Sequence, residues 1–279
     1  MGTGRTLLPV NSMKNHFPAT RGAPKGKFLS LKRLISTFFR FTKLDLQGIQ
    51  WRFDCTAFPS AVIAERRSQC SERLLDLALV LIERTRRTPV PTVLMERGVP
   101  EWISRWPGEH YRLLTAIVQE LAPQRVVEIG TFTGVGSMAI AAALPAAGKL
   151  TTFDIVPWSE IAKAQGGANP EPTCFRAEDF TTGTVTQVVA DLADVRTAQA
   201  FAEVLRNAEF IFVDGPKDGV FERRLLDNLR MIGLRTGTLL MFDDIRLLNM
   251  VEIWDEITLP KLDLTGFGHF TGTGLVEWQ

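Results

Sequence analysis

Three aspartates stand directly after two short apolar runs in the second half of the chain. Asp214 ends the run in FIFVDGPKDG, and Asp243 and Asp244 end the run in LLMFDDI. If both runs are parallel strands, their carboxyl ends meet at one edge of a sheet, where α/β proteins bind ligands. Three carboxylates gathered there repel one another unless a cation joins them. The pattern therefore predicts a hard divalent ion such as Mg²⁺, which prefers oxygen ligands.

A glycine-rich turn is a second candidate binding element. In VVEIGTFTGVGS, a strand-like run leads into Gly130, Gly134 and Gly136 and then into the helical pattern MAIAAAL. Glycine permits a tight turn and a close approach of ligand to backbone. The spacing is G-x-x-x-G-x-G, whereas dinucleotide-binding loops usually have G-x-G-x-x-G. The difference argues against an NAD-dependent oxidoreductase, which is the alternative enzyme class.

An acidic residue follows the next apolar run. Asp154 ends the strand-like run in LTTFDI. A carboxylate at this place can accept hydrogen bonds from both hydroxyls of a ribose, and the alternative role is a helix N-cap. Together with the glycine loop of the preceding βα unit, Asp154 favours a ligand that contains a nucleoside.

The motif E-x-G-x-x-x-G-x-G, followed by an acid after the next strand, resembles the class I S-adenosylmethionine-dependent methyltransferases over residues 108–279. This resemblance implies an α/β fold, a Rossmann-like, seven-stranded, mostly parallel sheet with an antiparallel last strand. It implies S-adenosyl-L-methionine as the cofactor, with the glycine loop at its methionine part, Asp154 at its ribose and Asp191 at its adenine. The expected cofactor contacts are Glu128, Gly130, Thr131, Gly134, Gly136, Ser137, Asp154, Asp191 and Asp214.

The acidic cluster is similar to that of catechol O-methyltransferase and its small-molecule relatives. By this resemblance, Asp214, Asp243 and Asp244 are the Mg²⁺ ligands and Lys217 is the base. The implied activity is methyl transfer to a hydroxyl group of a small molecule, such as a catechol, a phenol or a hydroxylated natural product. Asp244 departs from the family pattern, which usually has Asn at this position, and adds a negative charge.

Two histidines leave alternatives open. His269 lies in GFGHFTGTG, between the last two predicted strands, and either has no role or acts as the base in place of Lys217. A metal-independent methyltransferase for a phenol, sugar or amine, with His269 or Lys217 as base, is therefore the second hypothesis. For His110, in RWPGEHY, the expected role is the start of a helix, and the alternative is a place on the wall of the cofactor or substrate cleft. A non-catalytic binding protein that keeps the fold remains a further alternative.

The elements that must position these residues follow from the pattern after residue 108. Short apolar runs alternate with helical stretches, which predicts a parallel sheet with crossover helices. The predicted strands cover residues 125–129, 150–155, 186–190, 210–213, 238–242, 262–265 and 274–278, and the last two form a closing pair. Helices are predicted over 110–121 and over 60–87, the latter with Ser60 as its cap. We therefore expect a methyltransferase domain over 108–279 behind a helical N-terminal extension over 27–107, which acts as a lid, a dimer contact or a membrane contact.

The charges of the chain are unevenly distributed. The 279 residues include 32 basic and 31 acidic side chains, yet the first 44 contain nine basic residues and no acidic one. Residues 1–26 are predicted to be a flexible basic arm. Residues 28–44 have the pattern of a basic amphipathic helix, which packs on the body or a homodimer partner, contacts a membrane surface, or belongs to an organelle-targeting segment. The acidic remainder argues against nucleic acid as a partner.

Composition excludes several other classes of protein. A hydrophobic content of 45% is enough for a large core, and no apolar run approaches the roughly 20 residues needed to cross a bilayer. The three cysteines, Cys55, Cys70 and Cys174, are widely spaced and do not have the spacing of a zinc site. Few, unpaired cysteines are typical of a reducing compartment, so the predicted location is cytoplasmic.

Overall fold

The computed structural model describes residues 70–98, 103, 108–166, 171 and 173–279. The predicted basic arm and the predicted amphipathic helix over 28–44 lie outside these residues. All of the described residues belong to one compact unit, residues 44–279. No helix among them is long and apolar enough to cross a membrane. The boundary expected between residues 107 and 108 stays a prediction.

The described part of the chain alternates helices and strands. The helices are α1 (Glu72–Arg87), α2 (Thr92–Glu96), α3 (His110–Leu121), α4 (Val135–Ala141), α5 (Ile161–Gln165), α6 (Val195–Ala200), α7 (Ala202–Arg206), α8 (Val220–Ile232) and α9 (Met250–Glu256). The strands are β1 (Arg125–Ile129), β2 (Lys149–Asp154), β3 (Val185–Val189), β4 (Phe210–Val213), β5 (Leu239–Asp243), β6 (Lys261–Asp263) and β7 (Thr273–Glu277).

One sheet contains all seven strands, in the order β3-β2-β1-β4-β5-β7-β6. The first five strands of the chain pair in parallel, and β7 is antiparallel to both of its neighbours. The predicted fold class, a mostly parallel sheet with an antiparallel last strand, is confirmed. Ile129 lies opposite Val213, and Val213 lies opposite Phe242. The residues that follow β1, β4 and β5 therefore meet at one edge of the sheet.

The sheet separates two apolar layers. Alternate residues of a strand face opposite sides, so Phe212 belongs to the layer with α1, α3 and α4, while Val213 belongs to the layer with α6 to α9. Both faces of the central strands are thus covered, and β4 and β5 are buried along their whole length. This double covering leaves the carboxyl edge of the sheet as the place where polar side chains gather.

The first described helix begins later than the sequence predicted. Residues 70 and 71 are not helical, so a continuous helix over 60–87 is wrong, and α1 begins at Glu72. Ser71, rather than Ser60, is its cap: the Ser71 hydroxyl accepts a hydrogen bond from the backbone N–H of Leu74 at 3.0 Å. The Ser71 hydroxyl also donates to Glu277 of β7. A serine that accepts a hydrogen bond from a free N–H of the first turn therefore marks the start of a helix more sharply than apolar spacing does.

Candidate active site

The three predicted aspartates meet at the carboxyl edge of the sheet. Asp214 follows β4, Asp243 is the last residue of β5, and Asp244 is next in the chain. One carboxylate oxygen from each lies within 4.8 Å of the others. Lys217 joins the cluster: its ammonium donates to Asp214, and Nζ is 3.1 Å from Asp244 Oδ2. The structure therefore brings together all four residues of the predicted metal and base site.

Negative charge exceeds positive charge in this cluster. Burial raises the pKa of Asp214 to about 7, helped by Asp243 and Asp244 and opposed by Lys217. Burial and the charge of Asp243 also raise the pKa of Asp244. Burial alone would lower the pKa of Lys217, but the three carboxylates more than offset it and raise that pKa above its ordinary value. A set of crowded oxygen donors with one ammonium fits a hard divalent cation.

His269 is hydrogen-bonded to the same cluster. Its Nε2 is 2.5 Å from Asp243 Oδ1, and its Nδ1 is 2.5 Å from the Thr271 hydroxyl. Burial lowers the pKa of His269, but Asp243 and Asp244 outweigh this effect and raise it above the ordinary value. The pKa of Asp243 is held below its usual range despite burial, because His110, His269 and Lys217 lie close to it and His269 is hydrogen-bonded to it. His269 is thus part of the site and not an isolated loop residue.

His110 has both of the roles that the sequence left open for it, a helix start and a place on the wall of the cleft. It is the first residue of α3, as expected, but its side chain is 1% exposed and lies against the acidic cluster. Nδ1 is 2.9 Å from the Thr273 hydroxyl and 3.8 Å from Asp243 Oδ1, and the ring centroid is 4.4 Å from that of His269. Burial lowers the pKa of His110 to about 3, so the ring is neutral. No local pattern marks this role, since its partners lie more than 130 residues away in the chain.

The loop that carries Lys217 is held by a buried carboxylate. Glu222 is 1% exposed, and its two oxygens accept from the backbone N–H groups of Lys217 and Gly219, each at 2.8 Å. Lys217 itself has a φ of 64°, which is rare for a residue with a side chain. Glu222 therefore fixes an unfavourable backbone that aims Lys217 at the aspartates. The sequence did not single out Glu222, because an acidic residue in the first turn of a helix is common.

The glycines of the loop make room for protein atoms. A Cβ at Gly130 would lie 1.9 Å from the carbonyl oxygen of Asp214, and one at Gly134 would lie 2.5 Å from the ring of Phe175. A Cβ at Gly136 would lie 2.5 Å from Glu128 Oε1. The loop can therefore lie flat against β4 and the residues below it only because these three positions have no side chain.

Glu128 and Ser137 lie beneath the glycine loop. Ser137 donates to Glu128, which is 1% exposed, and burial raises the pKa of this carboxyl to about 8. Thr131 is also buried and exchanges a hydrogen bond of 2.6 Å with Thr152. Of the predicted cofactor contacts, Gly130, Asp154, Asp191 and Asp214 line open space, while Glu128 and Ser137 are buried beneath the loop.

A cavity of about 770 Å³ opens between the glycine loop and the carboxyl ends of β2, β3 and β4. Asp154 lies on its wall and caps no helix. One of its oxygens accepts from the backbone N–H groups of Thr131 and Phe132, both at 2.9 Å, and the other from Val156 at 3.0 Å. Asp191, in contrast, is exposed at the rim and accepts from the N–H of Ala193. Asp154 thus fixes the loop and faces the cavity at once.

A second cavity, of about 320 Å³, lies beside the first. Its walls include the acidic cluster, with His110 and His269 opposite. Among the described residues, Asp214 is the single one that lines both cavities. The geometry therefore provides two adjacent compartments that meet at one carboxylate.

Residues 127–245 match a family model described as a methyltransferase domain. No curated protein matches the chain.

Similar solved structures include TomG, the O-methyltransferase of tomaymycin synthesis from Streptomyces achromogenes in complex with S-adenosylmethionine (18% identity, TM-score 0.42, 77% of this chain and 98% of that one). A methyltransferase of Podospora anserina bound to S-adenosylhomocysteine is 16% identical, with a TM-score of 0.43, over 75% of this chain and 97% of that one. The mycinamycin pathway methyltransferase MycE, in complex with Mg, S-adenosylhomocysteine and mycinamycin VI, is 17% identical, with a TM-score of 0.39, over 57% of this chain and 38% of that one.

The matched residues include the glycine loop, Asp154 and the acidic cluster, which line parts of the two cavities, whereas His110 and His269 lie outside the match. Residues 127–245 thus match a methyltransferase domain, and the seven-stranded, mostly parallel sheet that contains them has the expected Rossmann-like topology.

Proposed function

We propose that the protein transfers a methyl group from S-adenosylmethionine to a hydroxyl oxygen of a small molecule, such as a catechol, a phenol or a hydroxylated natural product. Asp214, Asp243 and Asp244 are the proposed Mg²⁺ ligands, and Lys217 is the proposed base. The observation that supports this most directly is the pair of cavities that share Asp214. A donor and an acceptor bound in them would meet at the carboxylate edge of the sheet.

The larger cavity suits the cofactor. Its volume is in the range of about 300–1,000 Å³ that small-molecule sites usually have, and its wall is mostly apolar. The apolar side chains include Phe132, Ile155 and Phe221, while Asp154 offers a carboxylate to the ribose hydroxyls. Both Asp154 oxygens already accept backbone hydrogen bonds, which holds the carboxylate in place before the ligand arrives.

The smaller cavity suits the reacting part of the acceptor. In the reaction the S–CH₃ bond breaks as the O–CH₃ bond forms, the sulfonium becomes a neutral thioether, and the hydroxyl proton passes to a base. Mg²⁺, when bound, lowers the pKa of a coordinated hydroxyl and neutralises the carboxylates. Nζ of Lys217 lies between Asp214 and Asp244, whose charges raise its pKa. A bound cation would offset those charges, so that Lys217 could lose its own proton and then accept the proton of the acceptor.

A second candidate uses no metal and has His269 as the base. The observation that favours it is the hydrogen bond of 2.5 Å between His269 Nε2 and Asp243. A carboxylate orients an imidazole and stabilises its protonated form, as a general base requires. His269 also lines the smaller cavity, whereas Lys217 lines the larger one. In this mechanism the acceptor is a phenol, sugar or amine.

Methyl transfer from labelled S-adenosylmethionine to a panel of catechols, phenols and hydroxylated natural-product scaffolds tests the proposal. The full chain is assayed with Mg²⁺ and with EDTA. We expect activity on vicinal diols that EDTA abolishes and added Mg²⁺ restores. Activity that is unchanged by EDTA would contradict the metal-assisted mechanism and favour His269. Binding of the cofactor without transfer to any acceptor would contradict the proposed activity itself.

Other expectations remain predictions. They are a cytoplasmic location, a homodimer and a peripheral membrane contact through residues 28–44. The residues that carry the last of these lie outside the part of the chain that the structure describes.

A further inference from the structure

A cluster with two histidines lies against the acidic cluster. One ligand atom from each of His110, Asp243 and His269 lies within 4.8 Å of the others. We propose that these three residues form a binding site for a first-row transition dication such as Zn²⁺. This site is distinct from the oxygen-only set of Asp214, Asp243 and Asp244, with which it shares Asp243.

Both histidines are held in the same way. Nδ1 of His110 is 2.9 Å from the Thr273 hydroxyl, and Nδ1 of His269 is 2.5 Å from the Thr271 hydroxyl. Histidines that bind metals almost always have one ring nitrogen hydrogen-bonded to a second group, which fixes the ring and leaves the other nitrogen for the ion. In both rings the threonine hydroxyl contacts Nδ1, so Nε2 is the nitrogen that we expect a cation to take.

The two Nε2 atoms differ in what they contact. That of His269 is bonded to Asp243 Oδ1, while that of His110 is buried and has no hydrogen-bond partner among the described residues. A buried polar atom without a partner is rare and costs free energy, commonly about 1–3 kcal/mol. A cation bound by this nitrogen would remove that cost. An imidazole nitrogen that carries no proton has one lone pair to donate to a cation.

The donor set selects the kind of ion. Two imidazole nitrogens and one carboxylate oxygen suit Zn²⁺, Fe²⁺ or Co²⁺, whereas Mg²⁺ prefers oxygen ligands only. Three protein ligands leave a coordination position open, as catalytic zinc sites do. His110, Asp243 and His269 all line the smaller cavity, so that position would face a bound acceptor. Binding of a cation by these residues does not require methyl transfer.

Titration of the full, tag-free chain with Zn²⁺, Mg²⁺ and Co²⁺ tests the site without cofactor or acceptor. Calorimetry gives the affinity, and the visible absorption of Co²⁺ reports its ligands. We expect one Zn²⁺ per chain, bound at least about 100-fold more tightly than Mg²⁺. His269→Gln should weaken Zn²⁺ binding at least about tenfold, and Thr273→Val, which removes the hydroxyl behind His110, should weaken it about 10- to 100-fold.

Two controls separate this site from others. The chain has three histidines, so His16→Gln tests the remaining one and should leave the affinity unchanged. Asp227→Asn, at an exposed position of α8 outside both clusters, should change Zn²⁺ affinity less than about threefold. His269 is partly exposed, whereas His110 is buried. His269→Gln therefore tests the site even if His110→Gln does not fold. The proposal would be overturned if the wild type did not bind Zn²⁺ or if His269→Gln bound it as tightly as the wild type. Thiolate charge-transfer bands with Co²⁺ would also overturn it, because they would assign the ion to cysteine. None of these outcomes bears on methyl transfer.

Discussion

Asp243 and His269 are hydrogen-bonded at 2.5 Å, although 26 residues of chain separate them. The antiparallel last strand is the cause. Asp243 lies opposite Thr273 in the β5–β7 pairing, so the loop before β7 returns to the carboxyl end of β5. An all-parallel sheet would bring that loop to the other edge. The topology of the last strand therefore completes the site with a histidine.

Asp243→Asn should remove most of the activity and leave cofactor binding intact. The substitution keeps the shape but removes the charge that the proposed metal, His269 and Lys217 all face. We expect methyl transfer to fall at least about 100-fold, with the Kd of S-adenosylmethionine within about twofold. Labelled transfer and calorimetry measure the two quantities. Asp227→Asn, at an exposed position of α8, is the matched control, and activity near that of the control would argue against a catalytic role for Asp243.

Lys217→Ala and His269→Gln distinguish the two candidate bases. If Lys217 is the base, Lys217→Ala should lower kcat about 100- to 10,000-fold with little change in cofactor affinity, and His269→Gln should be much milder. Single-turnover methyl transfer compares them. The opposite ranking would assign the base to His269. A large loss of cofactor affinity in Lys217→Ala would instead make Lys217 a binding residue.

Asp154→Ala should weaken cofactor binding. The substitution removes the proposed ribose acceptor and three hydrogen bonds that hold the glycine loop. We expect the Kd of S-adenosylmethionine to rise at least about tenfold, equivalent to about 1.4 kcal/mol. Asp194→Asn, at the start of α6, is a suitable control because Asn also caps helices well. An unchanged Kd in Asp154→Ala would contradict the ribose role.

Glu128→Gln should change how stability depends on pH. Burial raises the pKa of Glu128 to about 8, so the folded protein retains a proton that the unfolded chain loses near pH 4.5. Its contribution to the free energy of unfolding is complete below about pH 4.5 and falls as the pH rises through about 8.

Glutamine cannot ionise, so the variant does not lose this part of the free energy of unfolding as the pH rises. We expect the Tm of Glu128→Gln relative to the wild type to be higher at pH 8.5 than at pH 5, by at least about 2–4 °C. Thermal melts at the two values measure it, with Glu203→Gln on the exposed face of α7 as control. A Tm difference that is the same at both values would show that Glu128 has no raised pKa.

Glu222→Gln should impair turnover through Lys217. One of the two acceptor oxygens becomes an amide NH₂, which cannot accept from the backbone N–H of Lys217 or Gly219. The loop would relax from its left-handed backbone and move the ammonium from Asp214. We expect kcat to fall about tenfold or more with an unchanged cofactor Kd. The double variant Glu222→Gln/Lys217→Ala should be no slower than Lys217→Ala alone, and additive losses would contradict a positioning role.

Much of the fold could be predicted from sequence. The bounds of α3, β1 and β4 match the predicted ones, and each of the other predicted strands starts one residue away from its observed start. Strands that are buried on both faces are continuous apolar runs bounded by turns, so their existence is clear while their ends are less so. The start of α1 was missed because a helical pattern does not say which serine caps it.

The sequence by itself also determined the acidic side of the site. Asp154, Asp214, Asp243 and Asp244 each stand at or beside a strand end, and parallel strands in neighbouring positions must bring such residues together. The glycine pattern located the loop. The reason why position 130 needs glycine, its closeness to the Asp214 backbone, is visible only in three dimensions.

Only the tertiary structure decided which distant residues complete that site. His110 precedes the sheet and His269 lies in a loop near its end, and both reach Asp243 because α3 packs on the sheet and β7 runs antiparallel to β5. Glu222 reaches the Lys217 backbone through one turn of α8. Local spacing fixes which residues share a strand end, but contacts between separate elements depend on how those elements pack.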